Sequence, residues 1–340
     1  MSTAALAGRV ISLDRGFPLV KTAAGELRAQ HSIELVKNSS LRAAVGDYVE
    51  LDAPAGQDTP LITAIRPRGH TLVRRSLIES RHEGQGKFAQ QVLAANVDVV
   101  FVMCALGNRA VDTYYLERQL VMAYESGAQV ALVLSKADQA KHLDEDLAAV
   151  KAVAFEAPVI VESAVTGQGL KEVSALLAGG RTGVLLGRSG VGKSTLINEL
   201  LGAPLLQTAA VRTKDRAGRH TTVARRMVFL EGVGEGGVAD AAGATGDAGA
   251  AGAADAAGAA DTQSAALIDA PGLRSIGLYD AHRGLAAAFP DVVEWAAHCH
   301  YRNCSHTSEP SCAVQQAVAQ GHLSAARLTS YNLISTEVNA

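Results

Sequence analysis

Apolar residues follow more than one rhythm along this 340-residue chain. Over residues 1–70 they come in short runs interleaved with polar positions: GRVISLD, FPLVKT, ELRAQH, DYVELD and PLITAIR, separated by turn-prone Gly, Asp, Asn and Pro. Five short half-buried strands in about seventy residues predict a small closed barrel, of the oligonucleotide-binding or the SH3 type, and periodicity alone does not choose. Residues 71–95 are polar and basic, with Gly84 and Gly86 at their centre, and are expected to be a mobile connector. From Val97 the rhythm changes. VDVVFVMCAL is an unbroken apolar run, suited to a strand covered on both faces. A helical stretch (Tyr114–Ser126), QVALVLSKAD, a helix near 143–154, APVIVESAVTG, a helix near 169–178 and TGVLLGRSGVGKST follow in turn. Strands alternating with helices predict right-handed crossovers and a doubly wound α/β sheet within 96–278. Residues 232–264 are almost wholly Gly, Ala, Asp and Thr. They bury too little to offset their ordering entropy and are expected to be a disordered insertion between RRMVFL and ALIDAPG. Residues 279–340 read as helix-rich, with Leu323–Thr336 the last helix predicted.

Composition narrows the classes. An apolar fraction of 48% supplies a packed core. No run of 18 apolar residues occurs, which argues against a membrane span. MSTAALAGRVISLDRG lacks the charged start and long apolar stretch of a secretory signal. Of the four cysteines, three crowd into Cys299–Cys312 and the fourth, Cys104, lies in an apolar run. That is metal spacing rather than a disulfide framework, and it suits a reducing cytoplasm. The net charge of −3 conceals an uneven distribution: residues 231–264 hold six acids and no Lys or Arg, leaving 28 acids against 31 bases elsewhere. Within 66–87 six Lys and Arg stand against two Glu, a balance that fits a polyanion such as RNA as well as it fits a solvated linker.

The sharpest chemical signal is Gly187-Arg188-Ser189-Gly190-Val191-Gly192-Lys193-Ser194-Thr195, a G-x-x-x-x-G-K-S loop after apolar TGVLL and before helical STLINELLG. Its glycines let backbone N–H groups wrap phosphates, Lys193 can reach the β and γ oxygens, and Ser194 can ligate magnesium. The loop by itself fits an ATPase equally well. Base choice points to Leu134-Ser135-Lys136-Ala137-Asp138, about fifty residues upstream. Asp138 can accept from the N1–H and exocyclic amine of guanine, and the stem of Lys136 can lie across the base. Ser163-Ala164, ending the next strand, would offer a backbone N–H to the guanine O6. After strand ALI, Asp269-Ala270-Pro271-Gly272 can hold magnesium through water at Asp269 and touch the γ-phosphate with the Gly272 N–H. Gly218-Arg219-His220-Thr221-Thr222 falls where a first switch loop belongs; Thr221 or Thr222 would complete the magnesium shell, with Thr222 favoured. Near the C-terminus, Cys299, Cys304, His306 and Cys312 form C-x4-C-x-H-x5-C, with His298 and His300 as rival imidazoles. Three thiolates and one imidazole fill a tetrahedral zinc with no open position, a structural site.

The order SKAD, SA, GRSGVGKST, GRHTT, DAPG, the cysteine cluster and the following CAVQQAVAQGHLSAARLTSYNLI resemble the ribosome small-subunit-dependent GTPases. These are circularly permuted, with an N-terminal oligonucleotide-binding fold and a C-terminal zinc module, and the likeness spans nearly the whole chain. It implies GTP hydrolysis to GDP stimulated by the small ribosomal subunit, contact with its rRNA, and a role in late subunit maturation. It implies His306 as the zinc imidazole and His220 as the residue that orients the attacking water; many GTPases use a Gln where this chain has Leu273, so hydrolysis should be slow without help. The resulting division is 1–70 barrel, 71–95 basic connector, 96–278 permuted GTPase and 279–340 helical zinc module, in a cytoplasmic, non-membrane protein expected to be a monomer. Two departures stand out: the family usually has Asn at the position of Ser135, and the 232–264 insertion is long. The alternatives are a GTP-dependent RNA-binding switch that hydrolyses only to reset, and a regulatory GTPase with no ribosomal partner.

Overall fold

Hydrogen bonds among short strands close a barrel at the N-terminus of the computed structural model, which describes residues 6–14, 17–38, 41–53, 59–78, 87–206, 225–230, 264–270, 277–278 and 280–339. Strand β1 (Leu6–Asp14) pairs antiparallel with β2 (Phe17–Thr22), and β2 with β3 (Gly25–Arg28). After the single residue Ala29 the same chain continues as β4 (Gln30–His31), which runs parallel to β6 (Leu61–Ile65); β6 pairs with β5 (Tyr48–Asp52), and β5 returns to β1. Helix α1 (Ile33–Asn38) fills the connection between β4 and β5. A five-membered Greek-key ring of this kind is the oligonucleotide-binding arrangement, so topology makes the choice that periodicity left open. Val10, Val20, Val49, Leu51 and Ile62 fill its interior.

Residues 71–78 and 87–95 are not the loose connector expected from their polarity; 79–86, with Gly84 and Gly86, lie outside the described residues. The two stretches form an antiparallel ribbon, β7 (Thr71–Ile78) with β8 (Lys87–Ala95), paired from Thr71↔Ala95 to Ile78↔Lys87. Leu72, Leu93 and Ala94, around an irregularity in the pairing, join the main core, and farther along the ribbon Arg74 Nε donates to Gln91 Oε1 at 2.7 Å. The apolar residues at the end near Leu72 and Ala94 anchor the ribbon in the core, and the polar ones beyond them disguise it.

The large sheet contains β9 (Val99–Ala105), β10 (Gln129–Ser135), β11 (Val159–Val161), β12 (Thr182–Leu186), β13 (Arg226–Leu230) and β14 (Ala265–Asp269), in the spatial order β11-β10-β9-β12-β14-β13. All are parallel except β13. Each apolar run is buried on both faces, as its lack of alternation predicts. Val100, Val102, Leu132 and Leu134 face α2 (Thr113–Glu125) and α3 (Leu143–Ala154), whereas Val99, Phe101, Met103 and Val133 face α4 (Leu170–Leu176) and α5 (Lys193–Leu201). The chain moves outward from β9 to β11 and then returns to the other side of β9 as β12. That reversal opens the crevice in which doubly wound sheets bind ligands. Helices α6 (His282–Ala288), α7 (Pro290–Ala296), α8 (Ala313–Ala319) and α9 (Ala325–Asn339) follow, and α6 packs along α2. The last helix begins two residues later than predicted, with Leu323 buried just ahead of it. The barrel joins the large sheet through β1, which meets the edge strand β13 at Ser12↔Arg226. The expected insertion, 232–264, lies outside the described residues except for Ser264.

Candidate nucleotide site and metal centre

Because β11, β10, β9, β12 and β14 are parallel, the segments that follow them emerge at one edge of the sheet. In spatial order these are Ser163-Ala164, Ser135–Asp138, the residues after β9, the 187–192 loop and Asp269. Segments about fifty residues apart in sequence therefore touch. The Ser135 hydroxyl donates to Val191 O at 2.6 Å and lies 3.2 Å from Cys104 O. Lys136, in the left-handed region at φ 61, sends its ammonium to Gly190 O at 2.7 Å. Ser163 donates to Asp138 Oδ1 at 2.7 Å, and this bond is the main reason the exposed Asp138 carboxyl sits below its ordinary range. Half-buried Ala164 opens a turn closed by the Gly167 N–H donating to Ser163 O at 2.9 Å.

The 187–192 loop needs its glycines. A Cβ on Gly187 would meet Met103 O at 2.9 Å, and Gly190 and Gly192 have φ values of +81° and +107°. Lys193 is buried, and its ammonium donates to Gly187 O and Arg188 O at 2.8 and 3.0 Å, folded over the loop it belongs to. Ser189 is exposed at the loop's tip and Thr195 is half-buried in α5. Ser194 Oγ donates to Asp269 Oδ2 at 3.2 Å, so two hard oxygen donors meet beside Lys193, at the N-terminus of α5. That donor set fits magnesium. His220, Thr221, Thr222, Gly272 and Leu273 lie outside the described residues.

Two features of this edge and one of the C-terminal cluster fall outside the motifs. Arg188 lays its guanidinium 3.8 Å from the centre of the Tyr115 ring and pairs with Asp112 Oδ2 at 2.7 Å, while Asp112 Oδ1 accepts the Tyr115 N–H and caps α2. A capping Asp before an apolar helix was the available signal. Glu162, beside Ser163, is buried among acids. In the C-terminal cluster, Glu309 accepts from Ser305 N, Ser305 Oγ, Thr307 N and Ser308 N at 2.6–3.2 Å, bracing the loop between ligands.

That loop brings together Cys299, Cys304, His306 and Cys312, one ligand atom from each lying within 4.8 Å of the others. His306 Nδ1 is 3.6 Å from Cys299 Sγ and 3.5 Å from Cys312 Sγ, and the two sulfurs are 3.9 Å apart. A tetrahedron with metal–sulfur bonds of about 2.3 Å has edges of roughly 3.8 Å, so Cys299, His306 and Cys312 stand at the spacing of one face around an ion, with Cys304 within 4.8 Å to complete the set. Burial lowers the His306 pKa, against the opposing pull of Glu309, and favours the neutral imidazole that a metal requires. The rivals are engaged elsewhere: His298 Nδ1 lies 3.0 Å from Glu294 O, and His300 packs edge-on to Tyr301.

A doubly wound sheet with its phosphate loop after the fourth strand, behind three strands that canonically ordered relatives of the fold place later, defines a circularly permuted GTPase. Comparison with known proteins agrees. The family model described as RsgA GTPase matches residues 66–246, and a broader one described as 50S ribosome-binding GTPase matches 182–320. The small ribosomal subunit biogenesis GTPase RsgA of Streptomyces avermitilis is 39% identical over 98% of this chain and 79% of its own length; that of Syntrophotalea carbinolica is 36% identical over 95% and 80%. Among solved structures, YjeQ from Thermotoga maritima superposes with a TM-score of 0.63 over 98% of this chain and 99% of its own, at 19% identity. YloQ, titled a circularly permuted GTPase, gives 0.58 over 99% and 96%, at 20% identity. The chain belongs to the RsgA family of GTPases, and it is a GTP hydrolase.

Proposed function

We propose that this GTPase binds the small ribosomal subunit and hydrolyses GTP to GDP and phosphate during late maturation of that subunit, in the cytoplasm and as a monomer. The observation that carries the reading is the bond from Lys136 to Gly190 O, with its neighbour from Ser135 to Val191 O. It ties the guanine-reading turn to the phosphate loop. Asp138 then accepts from the guanine ring and amine, Lys136 lies along the base, and the Ser163-Ala164 backbone meets O6. The amides of 187–195 and the Lys193 ammonium hold the phosphates, and the Gly272 N–H meets the γ-phosphate. Ser194 and Thr222 (rather than Thr221) are the direct protein ligands of magnesium, with Asp269 acting through water; the ion offsets charge as the phosphoryl group transfers. With Leu273 unable to orient water, His220 takes that task and turnover is slow until a partner helps. Cys299, Cys304, His306 and Cys312 hold one structural zinc. The barrel (1–70) and the ribbon (71–95) meet rRNA by shape and phosphate contacts that weaken with salt.

The deciding assay is GTP turnover with and without purified small subunits, with free rRNA as control. Subunits should raise the rate at least tenfold where free rRNA does not. A change in affinity with turnover unmoved would favour the RNA-binding switch instead. His220→Ala should lose the stimulated rate and keep GTP binding; unchanged stimulated turnover removes His220 from the mechanism.

A further inference from the structure

Glu162 lies at the guanine end and has no basic partner among the described residues. Its backbone joins the two guanine-side segments: its N–H donates to Leu134 O at 2.8 Å and its carbonyl accepts from the Ala137 N–H at 2.9 Å. The residue is 2% exposed, and its buried Oε1 has no hydrogen-bond partner among the described residues. The charged groups acting on it are both acids, Asp138 from the guanine-reading turn and Glu199 from α5. The neighbouring positions of β10 are the apolar Leu134 and Ser135, whose hydroxyl serves Val191, while Lys136 directs its ammonium to Gly190. Gly169, ahead of α4, packs against the Glu162 Cα.

We propose that Glu162 is a positioning residue of the guanine end that carries a proton whenever nucleotide is bound, so that guanine-nucleotide binding is linked to proton uptake. The proposal rests on Asp138 as the guanine acceptor. A bound purine covers the Asp138–Ser163 edge and excludes water, and the phosphates bring further negative charge. Both raise the cost of a second carboxylate behind Asp138. An ionised Glu162 would be buried and unpaired, and its relief is to move outward, which pulls on the ladder holding Ala137 and Ser163. A neutral Glu162 leaves that ladder in place. Burial first, then Asp138 and Glu199, push the carboxyl up to about 7 even without nucleotide, so the linkage falls in a range where the protein can be studied. Since the protonated form binds more tightly, affinity falls as pH rises above about 7.

The test is the affinity for fluorescent GDP from pH 6 to 8.5, wild type against Glu162→Gln, with unlabelled GDP and ADP as competitors. Wild-type affinity should weaken relative to the variant by about tenfold for each unit by which nucleotide raises the carboxyl's pKa. The ratio cancels titration of the nucleotide itself. Calorimetry of GDP binding to the wild type at pH 8, in two buffers of different ionisation enthalpy, gives a second readout should the variant misfold; net proton uptake is expected. Parallel pH profiles, or no uptake, with GDP still preferred over ADP overturn the role of Glu162 alone. ADP competing as well as GDP overturns the guanine reading beneath it.

Discussion

Ser135 shows how one side chain can hold two distant motifs together. The resemblance anticipates Asn there, yet the shorter hydroxyl still reaches Val191 O, because β10 and β12 flank β9 on either side and bring the two loops within a hydrogen bond. Ser135→Ala leaves that carbonyl without its donor. It should weaken GDP binding by about 1–2 kcal/mol, or roughly 5- to 30-fold, in a fluorescence titration. Glu162 makes a prediction about stability as well. Its carboxyl titrates near 4.5 in an unfolded chain and near 7 in the fold, so the folded state holds the proton more tightly. The stability this contributes is complete below about pH 4.5 and is lost as pH rises through about 7. Glu162→Gln should therefore gain on the wild type between pH 5 and pH 8, by about 2–3 kcal/mol in urea unfolding. Lys193 and Asp138 were legible because spacing and residue type carry their chemistry. Glu162 was not, since a glutamate's burial is decided by what packs over it.

Helix α2 runs from the phosphate loop to the C-terminal helices, and its polar residues mark the route. Asp112 at its N-terminus holds Arg188. Glu117 accepts from Arg327 at 2.6 Å with both side chains buried, Arg118 bonds Glu337, and Glu125 accepts from Arg283 and from the Gly284 N–H. A buried pair that loses one member leaves an uncompensated charge. Glu117→Ala should cost about 3 kcal/mol in chemical denaturation, and Glu117→Gln less, because Arg327 keeps Asp291 and an acceptor amide oxygen remains. At the cluster, Cys312 is the residue that precedes α8. Chelation should release one metal ion per chain and strip hydrogen-exchange protection from α8 first; full protection in metal-free protein would refute a structural ion. Helix α2 itself was plain in the sequence. Its partners were not, since Glu117 and Arg327 are 210 residues apart and nothing local pairs them.

Across the whole molecule, a buried cation joins the β1–β13 pairing in fastening the barrel to the GTPase sheet. Arg9, 3% exposed, donates to Thr182 Oγ1 at 2.8 Å and to Gly46 O at 3.3 Å, and its guanidinium lies over the Tyr48 ring. Thr182 begins the strand that ends in the phosphate loop. Gly46 allows the approach: at φ +97 it lies so close that a Cβ would overlap Ala95 O at 2.1 Å. Arg9→Ala should loosen this junction by about 1–3 kcal/mol, seen as faster release of the barrel by limited trypsin digestion at unchanged GDP affinity. What the sequence determined unaided was the set of elements and the chemistry of its loops, because hydrophobic period and glycine spacing act within a few residues. The tertiary structure decided which loops share an edge, which ring the barrel strands close, that a polar stretch becomes a ribbon, and which charged groups lose their water. Those outcomes depend on contacts between residues far apart in the chain, and local pattern does not encode them.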